Sequence, residues 1–143
     1  MVCTTKGEML FMAKVNGAQS VETIPGRKIV LSKGKGKTNV AELQWLTRTV
    51  LQSAAAWKQT GWAYIADCSE MSPVTSEEST ELVKMTKQFV DAGCKAFGFA
   101  EGRSIMLKVQ AQKNTQRSNT GVVEGHFATV EEVLTWLKTE VKI

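Results

Sequence analysis

The chain has 143 residues, of which 43% are hydrophobic and 22% are charged, and its formal net charge is +4. A chain of this length is expected to form one domain, covering residues 1–143. It contains one histidine and three cysteines. Cys3, Cys68 and Cys94 are far apart in the sequence, which argues against a disulfide framework, a paired-cysteine redox motif and a structural zinc site. We therefore expect no metal and no cofactor.

The sequence shows no targeting signal and no membrane-spanning stretch. Residues 1–15 lack the apolar core, about 7–15 residues long, that a secretory signal requires. No segment approaches the roughly 20 apolar residues of a membrane span. We therefore expect a cytoplasmic protein without an integral membrane segment.

Residue patterns near the N-terminus predict an antiparallel hairpin followed by a helix. Strands are predicted at residues 9–15 and 27–33, with residues 21–24 extending the hairpin. Asn39 and Glu42 have the spacing of a helix N-cap and its third residue. The helix that follows is predicted to carry one apolar stripe, formed by Val40, Leu43, Leu46, Val50, Ala54 and Trp57.

Three strand–helix pairs follow in the second half of the chain. Short apolar runs predict strands at residues 62–66, 96–100 and 121–127, and helices are predicted to open at Thr75, Arg103 and Thr129. The helix at 103–117 is predicted to be apolar at Ile105, Met106 and Val109. Strands joined through helices must run parallel, with right-handed crossovers. The predicted fold is therefore α/β: a small mixed sheet with an N-terminal antiparallel hairpin, then parallel strands and about four helices.

The first candidate site is the sequence Gly34-Lys35-Gly36-Lys37-Thr38 between a predicted strand and a predicted helix. Its last three residues match the end of a phosphate-binding loop. That loop needs an earlier glycine for its curl, and Leu31 stands at that position. Nucleotide binding is therefore the weakest functional hypothesis for this chain, and a flexible basic loop is the plainer interpretation.

Charged residues cluster by sign along the chain. No aromatic residues interleave the basic stretches, as stacking on single-stranded nucleic acid requires, so we expect no specific nucleic-acid partner. Regions of opposite charge suit an acidic protein partner or a self-complementary assembly, and solvated loops are the plainer alternative. The basic residues are Arg27, Lys28, Lys33, Lys35 and Lys37, then Arg103, Lys108, Lys113 and Arg117; the acidic block is Asp67, Glu70, Glu77, Glu78 and Glu81.

A polar segment, residues 67–76, follows a predicted buried strand and enters a predicted helix. Ligands of open α/β sheets gather at the carboxyl ends of strands, so this segment is a candidate ligand or partner loop. In the structural alternative, Asp67 ends a strand, Pro73 bends a loop and Thr75 caps a helix. The candidate site residues are Asp67, Ser69, Met71, Ser72, Thr75 and Ser76.

At this segment the chain resembles the STAS superfamily, which has the anti-sigma-factor-antagonist fold, and more closely the bacterial SpoIIAA-like small proteins. The resemblance rests on residues 64–69, 96–99 and 127–137. In regulatory STAS proteins, a partner kinase phosphorylates a serine at the start of the helix after this strand, and Ser76 is the matching position. Thr75 stands where that family has an aspartate, and Glu77 and Glu78 take the place of a nearby glycine.

The leading hypothesis is a non-enzymatic cytoplasmic binding or regulatory domain that acts through protein–protein contacts as a homodimer. The second is a small carrier that binds a lipid or another apolar ligand between its helices. The third is an enzyme built on Asp67, Ser76 or Cys68, with His126 as the only histidine. The candidate apolar pocket or interface residues are Trp45, Met71, Ile105 and Met106.

Overall fold

A computed structural model describes residues 13–143. Most of the strand predicted at residues 9–15 lies outside the described residues. The six strands are β1 Lys14–Asn16, β2 Gln19–Thr23, β3 Ile29–Gly36, β4 Trp62–Met71, β5 Cys94–Ala100 and β6 Val123–Phe127. The helices are α1 Val40–Ser53, α2 Ser76–Asp91, α3 Ile105–Ser118 and α4 Val130–Trp136; a 3₁₀ turn, Ala55–Trp57, follows α1, and a π-helical turn, Leu137–Val141, continues α4.

The strands form one mixed sheet in the order of the sequence, β1 to β6. Strands β1, β2 and β3 pair antiparallel, and β3 to β6 pair parallel. The predicted mixed sheet is therefore confirmed. Because each parallel strand is the neighbour of the one before it, right-handed crossovers bring α1, α2 and α3 to the same face. The opposite face is covered by α4 and the turn after it.

The helix starts are largely those that the sequence predicts. The Asn39 side chain accepts from the backbone N–H of Glu42, and Thr75 and Thr129 each open a complete capping box. The first helix is shorter than its apolar stripe suggests. It ends at Ser53, and Trp57 belongs to the separate 3₁₀ turn.

The two faces of the sheet are packed in different ways. On the three-helix face, Tyr64 contacts Phe89 and Phe97 edge-on, with ring centroids 5.0 and 5.2 Å apart. On the other face the central strands carry small residues, and α4 lies close to the backbone. A Cβ atom at Gly98 would lie 2.2 Å from Cγ1 of Val133, so only glycine admits the helix at this distance.

Two predicted loops are parts of strands. Strand β4 runs to Met71, so residues 67–71, half of the segment predicted as a polar loop, belong to a strand. Strand β3 runs to Gly36, so the first three residues of the predicted phosphate-binding loop belong to a strand, which ends at Gly36 with a φ of +63°. Both strands continue because they pair with each other: Gly36 is opposite Met71, after a register shift between Lys33 and Lys35.

Candidate functional site

A cavity of about 90 Å³ lies between the sheet and helices α1, α2 and α3. Strands β4 and β5 form its floor, and each of the three helices supplies part of its wall. Most of the side chains that line it are apolar or aromatic, which is the usual character of a small-molecule site. The apolar lining residues are Leu43, Leu46, Tyr64, Ala66, Met71, Val74, Leu82, Met85, Phe97, Phe99, Leu107 and Ala111.

The volume of the cavity limits what it can hold. A buried water needs only about 10–15 Å³, and an engineered apolar cavity of about 150 Å³ binds benzene. At about 90 Å³, the cavity admits several waters, a small ring or a short branched chain. A long acyl chain needs more room than these walls leave.

Several polar groups at the cavity are bonded to neighbouring protein atoms. The Gln110 side chain accepts from Val74 N at 3.0 Å and donates to Val74 O at 3.1 Å, so it clamps the loop before α2 onto α3. The Thr86 and Thr115 hydroxyls donate to backbone carbonyls of their own helices. These bonds hold the walls together, and the two hydroxyls keep their acceptor lone pairs.

A chain of hydrogen bonds fixes the Gln19 amide at the β2 side of the cavity. Gln19 Nε2 donates to Thr38 Oγ1 at 3.2 Å, and Thr38 Oγ1 donates to Glu42 Oε1 at 2.9 Å. The other carboxylate oxygen of Glu42 accepts from Ala18 N at 3.2 Å. Glu42 therefore links α1 to the β1–β2 turn, instead of bonding back to Asn39 as in a capping box.

The residues predicted to form an apolar pocket are only partly brought together. Met71 lines the cavity, and Trp45 is half-buried against the core on the same face without lining the cavity. Ile105 and Met106 are 79% and 59% exposed and do not line the cavity, so their prediction as interface residues stays open. Leu107 lines the cavity from α3. The sequence shows apolar residues at all of these positions of α3. Only the packing of α3 against α2 decides that Leu107 faces the cavity and Ile105 does not.

The remaining residues of the predicted loop have local structural partners. Asp67 Oδ1 accepts from the hydroxyl and the backbone N–H of Ser69. Ser72 N donates to Gly36 O at 2.8 Å, and Thr75 is the N-cap of α2. Ser76 is the first residue of α2 and is exposed, so a kinase can reach it. Its phosphorylation stays a prediction.

The basic residues do not form one patch. Arg27 and Lys28 precede β3, whereas Lys35 and Lys37 lie at its other end. The chain from Lys28 to Lys35 spans about 23 Å at 3.3 Å per residue. Arg27 donates to the backbone oxygens of Leu134 and Ile143, and Lys28 donates to Thr60. Lys33 pairs with Glu70 at 3.0 Å. Arg103 and Lys108 border a separate shallow depression at the start of α3.

Beside that depression, a histidine lies between two carboxylates. His126 Nδ1 is 3.0 Å from Glu101 Oε2, His126 Nε2 is 2.9 Å from Glu124 Oε2, and the ring stacks on Phe99. Burial alone would lower the pKa of His126, but the hydrogen bonds and charges of the two glutamates outweigh it and raise the pKa above its ordinary value. Sequence reasoning missed this cluster. Its only signal is Glu124 two residues before His126, on the same side of a strand.

Burial affects Cys68 and Cys94, and carboxylates surround His126. Burial, with smaller contributions from Glu101 and Asp67, raises the pKa of Cys68 to about 12, and burial raises that of Cys94 to about 12. Both thiols are therefore protonated at neutral pH and are poor nucleophiles. Both ring nitrogens of His126 are engaged by carboxylates. Within residues 13–143, no group of three or more histidine, cysteine or acidic residues is arranged to hold a metal ion.

Comparison with known proteins adds no assignment. The chain matches no protein-family model and no curated protein at a significant level. The resemblance to the STAS superfamily therefore stays a prediction. Among the helices of the described part of the chain, none has the length and apolar character needed to cross a membrane.

Proposed function

We propose that this chain is a non-enzymatic cytoplasmic binding domain that takes up a small, mainly apolar molecule between its sheet and its three neighbouring helices. The observation that carries the proposal is the cavity of about 90 Å³ walled by apolar side chains. The cavity opens in part to the surface, and its apolar and aromatic walls are the usual lining of a small-molecule site. Its volume favours a small ligand over a long-chain lipid.

The lining also supplies a route by which the cavity can open. Met71 and Met85 are flexible thioether side chains that adapt to different shapes, and Met71 is only half-buried at the end of β4. Val74, in the loop before α2, is also half-buried. Movement of Met71 and this loop would admit a ligand without rearranging the sheet.

Methyl NMR tests this proposal directly. We would label the methionine methyl groups with ¹³C and titrate the protein with toluene, a small apolar probe whose entry also requires Met71 and the loop before α2 to move. The Met71 and Met85 signals should shift in a saturable manner, because both side chains line the cavity. The exposed Met106 is the internal control and should not respond.

A cavity-filling variant gives the matched control. Ala111 lines the cavity from α3, so Ala111→Leu should occupy the space and abolish the toluene-dependent shifts. Ala41→Leu makes the same change at an exposed position of α1 and should leave them unaltered. Absence of saturable shifts at Met71 and Met85, or equal binding by Ala111→Leu, would reject the proposal.

A second candidate function is self-association, and an exposed apolar surface favours it. Ile105, Met106 and Val109 are exposed on α3, and Val123 is 52% exposed on the edge strand β6. Exposed apolar groups are typical of an interface. We propose a homodimer through the exposed apolar residues of α3. Sedimentation at several concentrations should show a dimer that Ile105→Asp abolishes; a monomer at all concentrations would contradict it.

A further inference from the structure

Two side-chain amides at the cavity have hydrogen-bonding capacity that the described protein atoms do not use. Glu42 is bonded as a carboxylate acceptor, so the Thr38 hydroxyl between it and Gln19 must donate to Glu42 and accept from Gln19. This order fixes the Gln19 amide with its nitrogen toward Thr38. The Gln19 carbonyl oxygen is left without a donor among residues 13–143, although the residue is only 2% exposed.

Asn114 is the second amide. It lies on the buried side of α3, is 7% exposed and lines the cavity. No hydrogen bond from the described residues reaches its side chain. Every fully enclosed side-chain nitrogen or oxygen of those residues has a partner, so the Asn114 amide must contact space that a water-sized molecule can enter. It offers a ligand both a donor and an acceptor.

The charge of the lining residues further limits the class of ligand that the cavity can bind. Asp67 is the one charged side chain that lines the cavity within the described residues, and it is an acid. No lysine, arginine or histidine of that part of the chain lines it. A carboxylate or phosphate ligand would lose its hydration without gaining a cationic partner, so this site disfavours anions, including fatty acids.

We infer that the cavity selects an uncharged molecule with an apolar body and a hydroxyl or N–H group that bonds either to the Gln19 carbonyl oxygen or to the Asn114 amide, which lie on different walls of the cavity. This inference rests on the proposed function and specifies its ligand class. An apolar cavity without such partners would reject the hydroxyl, because a buried hydroxyl without a hydrogen bond is costly.

Phenol and toluene are the matched probes, since they differ by a hydroxyl in place of a methyl group. We would measure both affinities from the methyl shifts of Met71 and Met85. The native protein should bind phenol at least as tightly as toluene. Asn114→Leu replaces the amide with an apolar group of similar shape. It should weaken the binding of phenol about tenfold or more relative to the binding of toluene. Gln19→Met should act in the same direction.

Gln116→Leu is the control, because it removes an exposed amide from the same helix and Gln116 does not line the cavity. It should leave the ratio of phenol to toluene affinity unchanged. If the native protein binds toluene and strongly rejects phenol, or if neither amide variant changes the ratio, the inference is wrong while the apolar site stands. If neither probe binds, the proposed function itself fails.

Discussion

Leu107 and Asn114 lie two turns apart on α3, and both face the cavity. The same buried stripe of the helix therefore carries one apolar side chain and one amide. In a site with no ligand role, a second leucine would fill this position better, because it would bury apolar surface where the amide gains no protein hydrogen bond. Residues needed for binding often lower the stability of the folded protein, and the Asn114 amide fits this pattern.

Asn114→Leu should therefore raise the free energy of unfolding, by about 1 kcal/mol, while it weakens phenol binding. Chemical denaturation of the ligand-free protein measures the change. Thr115→Val, which removes a hydroxyl that is already bonded within the helix, should not stabilise the protein. A clear loss of stability in Asn114→Leu would show that the amide has a structural partner.

Gly98→Ala should destabilise the protein by about 1–3 kcal/mol, because the new Cβ atom would overlap Cγ1 of Val133 and force α4 away from the sheet. The double variant Gly98→Ala/Val133→Ala removes the overlapping methyl groups. A double-mutant cycle, measured by chemical denaturation, should show that the two changes offset each other in part. Simple additivity of the two losses would mean that this contact does not set the position of α4.

The elements of this fold are largely predictable because their signals are local. Thr75 and Glu78, or Thr129 and Glu132, lie within one turn, and their capping boxes form as the spacing predicts. The ends of β3 and β4 depend on a partner strand far away in the sequence. Lys35 and Glu70 look like loop residues until the two strands pair.

The cavity and its amides could not be predicted in the same way. Ile105 and Leu107 are equally apolar, and the choice between them depends on how α3 rotates against α2. Asn114 carries no sequence signal at all, since an asparagine within a helix is usually solvated. Met71, predicted as an apolar pocket or interface residue, lines the cavity, and its role in binding stays a prediction.

The stability of the protein should depend on pH through His126. Its folded pKa is raised, so the unfolded state loses this proton at lower pH than the folded state. The stabilisation is therefore fully present below the ordinary histidine pKa of about 6.5 and is lost as pH rises through the folded pKa. Above that pH, a neutral ring can donate to only one of Glu101 and Glu124.

His126→Gln removes this titration and is the comparison variant. The difference in urea midpoint between native protein and variant should shrink from pH 6 to pH 9. Side-chain NMR of His126 should give a midpoint above that of a free histidine. A difference that does not vary with pH, or a midpoint below the free value, would contradict the assignment.

Arg27 should matter for stability more than its neighbour Lys28, although both belong to the basic stretch of the sequence. The Arg27 guanidinium donates to Leu134 O at 3.1 Å and to Ile143 O at 2.6 Å, so it ties α4 and the turn after it to the start of β3. Arg27→Met keeps the aliphatic stem and removes both bonds. We expect a loss of about 1–3 kcal/mol, since charge-assisted hydrogen bonds to half-buried carbonyls are replaced only in part by water.

Lys28→Met is the matched control, because the Lys28 side chain is exposed and donates only to Thr60. Its effect should stay within about 0.5 kcal/mol. Hydrogen exchange locates the change: Arg27→Met should increase the exchange of amides in Leu137–Val141, which lies beyond α4, and leave those of α2 unaltered. If the two variants were equally stable, the C-terminal turn would be held by its apolar contacts, chiefly Leu137, and the guanidinium would contribute little.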